Sequence, residues 1–120
     1  MTETRVLTRS VIEEYKNESH SLTTELVKIY ECPSDAKASI ILMIHTSNID
    51  NINDGSVTVC WSDYTQEDRL TYFINDGNLP ARSGLNVIHG KHILEPLDAI
   101  WAKADALNRI HITMSILEVS

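Results

Sequence analysis

Turn-forming residues recur along this chain at intervals of about 8–12 residues, the spacing of short antiparallel strands in a sandwich or barrel. Pro33-Ser34-Asp35, Asp54-Gly55, Asn75-Asp76-Gly77-Asn78, Ser83-Gly84, Gly90 and Glu95-Pro96 are the punctuation. Between them lie short apolar runs. Val57, Val59 and Trp61 alternate with Thr58, Cys60 and Ser62, the period of two expected of a half-buried strand. The most regular run is the last, where Ile110, Ile112, Met114 and Ile116 alternate with His111, Thr113, Ser115 and Leu117. Seven or eight such strands fit the chain, and no long amphipathic helix accompanies them. That excludes a doubly wound α/β fold. The expectation is an all-β protein: an antiparallel β-sandwich, jelly-roll or immunoglobulin-like, with a short N-terminal arm.

Residues 37–64 read as two strands joined in a hairpin, with Asp54-Gly55 as its tight point. The first strand is apolar on both faces. Ile40, Leu42 and Ile44 take one face and are expected to line the core; Ile41 and Met43 take the other. A strand apolar on both faces needs cover on both, and a second copy of the protein is one source of it. Further strands are expected over residues 22–31, 69–74, 85–89, 92–94 and 98–104. In the last of these Ile100, Ala102 and Ala104 share a side.

Residues 1–21 form the arm and residues 22–120 the sandwich domain. Val11, Ile12 and Tyr15 stand at helical spacing behind Ser10, a potential cap. So short a segment cannot bury them alone. Val11, Ile12, Tyr15, Ile41 and Met43 are therefore the candidate oligomer or partner interface.

The 120 residues are one domain's length, and 42% of them are hydrophobic, enough for a real core. A net charge of −7 argues against nucleic acid and anionic membrane as partners, since both call for clustered Lys and Arg. The polar opening MTETRVLTRS has no apolar core of a signal peptide, which points to synthesis in a cytoplasm. Cys32 and Cys60 form no CxxC pair and read as two reduced thiols, Cys60 at least partly buried.

Chemical constellations are weak. His89, His92 and His111 invite a metal reading, but His89 and His92 fall on opposite faces of a strand unless Gly90 bends it. Asn48, Asp50, Asn51, Asn53 and Asp54 suggest calcium. Ile52, however, falls where an EF-hand needs an oxygen, and turn formation explains the cluster. Asp63, Glu67, Asp68, Glu95 and Asp98 supply carboxylates with no other catalytic signature beside them, and GxSxG, P-loop and HExxH patterns are missing. The expectation is a protein that is not an enzyme and needs no metal or other cofactor.

Three stretches in order, SNIDNINDGSVTVCWSDY, LTYFINDGNLPARSGLNVIHGKHILEPLDAIWAKA and IHITMSILEVS, carry a family pattern. The chain from Leu22 to Ser120 resembles small β-sandwich structural proteins of tailed bacteriophage virions. Pro80 to Ser83, Gly90-Lys91 and Glu95 to Asp98 carry most of the likeness, and Pro96-Leu97 departs from it. The resemblance implies a virion location, self-association, and partners such as capsid, neck or tail subunits. It leaves the position in the particle open and carries no catalytic residue; within that class capsid decoration is the preferred reading and a neck, collar or tail component the alternative. A second class of function is a carbohydrate- or receptor-binding sandwich of an adsorption apparatus. In that reading Trp61, Tyr64, Tyr72 and Trp101 supply stacking rings, although alternation places Trp61 and Tyr72 in the core. Exposure of Trp101 and Tyr64 together on one concave face is the feature that separates the two.

Overall fold

The computed structural model describes residues 12–120, which form an antiparallel β-sandwich. Nine strands follow one another: β1 (Glu13–Ser21), β2 (Val27–Glu31), β3 (Ala38–Asn48), β4 (Gly55–Asp63), β5 (Arg69–Leu79), β6 (Gly84–Asn86), β7 (His92–Leu94), β8 (Ala99–Ala104) and β9 (Ile110–Val119). One sheet has the order β1-β9-β3-β6, with β7 also on β3; the other has the order β2-β8-β4-β5. The pairs are nested: β4 with β5, β3 with β6 and β7, β2 with β8, β1 with β9. Each strand pairs with one about as far from the opposite end of the chain. That is one long hairpin rolled into two sheets, a jelly roll, and of the two sandwich topologies expected this is the one adopted.

The core lies between the sheets. Ile110, Ile112, Met114 and Ile116 of β9 face Val57 and Val59 of β4 and Ile100, Ala102 and Ala104 of β8, all in one buried cluster. The alternations read from β8 and β9 hold in the structure; on β4 Val57 and Val59 join the core with Trp61 packed against it, but Thr58, Cys60 and Ser62 on the other face are buried too. Each such aliphatic side chain contributes about 1.5–3 kcal/mol by leaving water.

Residues 37–64 are not a hairpin. Both strands sit centrally, as their composition requires, but β3 belongs to one sheet and β4 to the other. The connection between them arches across the sandwich. It is shaped by Asn48, whose amide donates to the carbonyls of Asn53 (3.0 Å) and Leu79 (2.9 Å). Asp50 accepts from the backbone N–H groups of Ile52 and Asn53, each at 2.8 Å.

The facing of β3 also differs from simple alternation. Its register against β9 shifts between Ile41 and Met43, so Leu42 is the extra residue of a bulge. Ile41 and Ile44 therefore both enter the core and are fully buried, and Ile40 and Met43 point outward. Ile40 and Leu42 are only partly buried, as is Trp61 of β4.

The expected turn at Asn75 to Asn78 is instead the middle of β5, which runs on to Leu79. Asp76 takes φ 55°, its N–H donates to Thr58 Oγ1 (2.9 Å), and Ser56 Oγ donates to its carboxylate (3.1 Å). Gly77 then pairs with Val57, and a side chain there would collide with Ile74. Turn-forming residues here build a bulge because β4 supplies the hydroxyls that satisfy them.

At the other end of the chain, Glu13–Ser21 is an edge strand and no helix. It runs antiparallel to β9 from Glu13 against Val119 to Ser21 against His111. The sandwich thus begins about nine residues earlier than the boundary at residue 22. Val11 and the residues before it lie outside the described part.

Candidate functional site

Register defines what each sheet shows to solvent. On β9 the odd-numbered residues from His111 to Leu117 point away from the core. Their neighbours on β1 and β3 share that face, and the Ser115 hydroxyl accordingly bonds Asn17 Oδ1 at 3.0 Å. Four cross-strand rows result. Tyr15, Leu117, Ile40 and Ile93 form the first; Asn17, Ser115 and Met43 the second. Ser19, Thr113, His45 and Asn86 form the third; Ser21, His111, Ser47 and Gly84 the fourth. The first row is apolar, with Tyr15 75% and Ile93 62% exposed. The last two frame a concavity of about 480 Å3 lined by hydroxyls and by His45 and His111. His45 Nδ1 is bonded to Asn86 Oδ1 at 2.8 Å. No Asp, Glu, Lys or Arg stands in any of these four rows; the next row on the same face, Glu13, Val119 and Ala38, carries one carboxylate at the edge strand.

Of the expected interface residues, Tyr15 and Met43 share this face, and Ile12 is exposed beside its margin, accepting from the Ser120 N–H (2.8 Å). Ile41 does not belong to it: the bulge at Leu42 turns it into the core, where it is wholly buried. Val11 lies outside the described residues. Ile40, Ile93 and Leu117 complete the apolar row. Ile93 went unnoticed because a three-residue strand shows no periodicity, and Ile40 because alternation without a bulge faces it inward.

The inner edge of the same sheet carries a polar network. Glu118, buried on β9, accepts from Tyr30 Oη of the opposite sheet and pairs with Lys16 Nζ of β1 at 3.1 Å. Since the one hydroxyl hydrogen of Tyr30 goes to the carboxylate, Ser39 Oγ donates to Tyr30 Oη (2.8 Å). Burial, and then the bond to Glu118, push the Tyr30 hydroxyl far above its usual range. The bond to Glu118 raises Lys16.

The remaining candidates have structural tasks. His92 points inward, wedged between Trp61 (ring centroids 4.8 Å apart) and Phe73 (5.0 Å); burial lowers its pKa, with Asp98 opposing. His111 lies on the outer face of the same sheet, so His89, His92 and His111 do not converge. In the Asn48 to Asp54 arch, the oxygens bind the chain's own N–H groups. Asp50 is held down to about 2 by the N–H groups of Asn53 and Ile52, the Asn53 amide and Arg109. Asp63 caps the short 3-10 turn Tyr64–Gln66. Asp98 accepts from the N–H groups of Tyr64 and Glu95, both at 2.9 Å. Cys32 and Cys60 are free and buried; burial raises both thiols, Cys60 to about 11.

No protein-family model matches the chain, and no curated protein matches its sequence. Solved structures do match its shape. One is a chain from the acidic stable capsid of Helicobacter pylori bacteriophage KHP30: TM-score 0.55, 9% identity, covering 92% of each chain. Another comes from Bacillus endospore appendages, a family of disulfide-linked pili: TM-score 0.54, 8% identity, covering 91% of this chain and 88% of that one. A third is from infectious bursal disease virus, Gx strain: TM-score 0.51, 6% identity, covering 92% of this chain but 32% of that one. At such identities the likeness establishes the jelly-roll sandwich and nothing finer.

Proposed function

We propose that this protein is a non-enzymatic structural subunit of a tailed-phage virion, a capsid decoration or stabilising protein. It assembles with copies of itself through the outer face of the five-stranded sheet. One observation carries the reading: a chain of net charge −7 keeps four successive cross-strand rows of one sheet face free of Asp, Glu, Lys and Arg, one of them a four-strand apolar row, with Glu13 alone in the row beyond. Interface cores are depleted in charge in this way, and soluble monomers keep exposed apolar patches small. A closed symmetric assembly covers the row on every copy at once. The sequence pattern shared with small virion proteins supports the same assignment.

The experiment has two arms. Light scattering on the purified chain should give a multiple of 13.5 kDa, and Ile40→Glu with Ile93→Glu should reduce it to one copy without loss of β-sheet dichroism. Mass spectrometry of purified particles should find the protein at many copies each. A monomer that is absent from particles would overturn the proposal. A neck, collar or tail position is read out by the same copy number, which would be that of a single ring.

A further inference from the structure

The opposite sheet presents a different surface. A cleft of about 460 Å3 crosses the outer face of the β2-β8-β4-β5 sheet. Its floor is Trp101 of β8, which stands beside Cys60 in the register of β4. The indole is fixed: Nε1 donates to Ser62 Oγ at 3.0 Å, and Lys28 Nζ lies over the ring at 5.5 Å. Ser62 is 2% exposed, and its hydroxyl donates to no group among the described residues. Tyr64 stands on the far wall, half exposed, with Leu70 beside it. Tyr72, also half exposed, lies on the same face two strands from Trp101, roughly 10 Å away at the usual strand spacing.

Charged groups ring this aromatic floor, in contrast to the other sheet. Lys28 and Glu31 form a 2.6 Å pair on one wall, and Asp68 lies on the other. A dry contact between subunits depletes such charge. A ligand with one apolar face and a rim of hydroxyls matches it: its C–H face stacks on an aromatic plate and its hydroxyls bond the rim.

We propose that the Trp101–Tyr64 cleft binds a pyranose saccharide. A sugar ring displaces the Lys28 ammonium from over the indole and stacks its C–H face on Trp101, takes the unpaired Ser62 hydrogen, and places its hydroxyls against Glu31, the displaced Lys28 and Asp68. Tyr64 closes the side of the ring, and Tyr72 stands where a second sugar unit would extend. The site is independent of the self-association face, so either can fail without the other.

The test uses the full chain carrying Trp61→Phe, which leaves Trp101 as the sole indole. Cellotetraose, chitotetraose and mannotetraose are titrated up to about 10 mM, above the millimolar range of weak binding. At least one should change Trp101 fluorescence saturably. Trp101→Ala, followed by calorimetry with that sugar, and Tyr64→Ala should each weaken binding by about tenfold or more, with dichroism and elution unchanged. No saturable response to any of the three overturns the proposal, and so does binding that survives Trp101→Ala. If Trp101→Ala instead lowers the assembled mass, the cleft is a subunit contact and the saccharide assignment fails.

Discussion

Tyr30 of the four-stranded sheet donates its phenolic hydrogen across the sandwich to Glu118 of the five-stranded sheet. Lys16 of the edge strand holds the other carboxylate oxygen, and Ser39 serves the phenol. Four strands, β1, β2, β3 and β9, thus meet in one polar cluster at one end of the interior. The bond between Tyr30 and Glu118 is a neutral donor to a charged acceptor in a buried place, the kind whose loss costs most.

Tyr30→Phe should therefore destabilise the fold by about 1.5–3 kcal/mol, the range for hydrogen bonds to charged groups. The denaturant midpoint should fall with its slope unchanged. The pH dependence follows from the shift. An unfolded tyrosine begins to ionise near 10.0, while burial and Glu118 keep the folded one neutral beyond that. Above pH 10.0 the unfolded chain thus holds fewer protons, and stability falls as pH rises. Lys16, raised from 10.5, and Cys60, raised from 9.0 to about 11, act in the same sense. An alkaline decline of equal steepness in wild type and Tyr30→Phe would refute the Tyr30 part.

The bulge at Leu42 makes neighbouring isoleucines unequal. Ile41→Ala should cost about 2–5 kcal/mol, as buried truncations do. Ile40→Ala should cost less than about 1 kcal/mol, near the surface range, while reducing self-association. Chemical denaturation beside light scattering measures both. The reverse order would mean that β3 follows strict alternation.

Acid should weaken the protein in two stages. His92 is held below 6.5 mainly by burial, so below 6.5 the unfolded chain takes up a proton that the folded one refuses, and stability drops. Asp50 is lowered from 3.8 to about 2, so its contribution is present above 3.8 and is lost as pH falls toward 2. His92→Phe should flatten the first stage and Asp50→Asn the second, followed by thermal melts across pH. Unchanged profiles in both variants would exclude these groups as the source.

The arm reading survives as a proposal about residues 1–11, because β1 already belongs to the sandwich. Deleting residues 1–11 leaves Lys16 and Tyr15 in place. The truncated chain should keep its dichroism and melting point but lose part of its assembled mass or its attachment to particles. Retention of full mass and attachment would rule out contact exchange by this segment.

Local chemistry made much of this protein legible beforehand. The inward sets of β4, β8 and β9, the strand character of most of the chain and the turn at Asp50 follow from side-chain alternation and from carboxylates that cap nearby N–H groups. Those are properties of a residue and its immediate neighbours. Which strands pair is not such a property. β1 meets β9 across nearly the whole chain, and β3 and β4, adjacent in sequence, lie in opposite sheets. The bulges at Leu42 and near Phe73 are set by hydrogen-bond register with distant strands, and each shifts the facing of every residue beyond it. Only that register brings Tyr15, Leu117, Ile40 and Ile93 into one row and Trp101 and Tyr64 into one cleft. The sequence by itself determined a sandwich of alternating strands. The tertiary structure decided which side chains reach solvent together, because a face is assembled from strands whose partners lie far away along the chain.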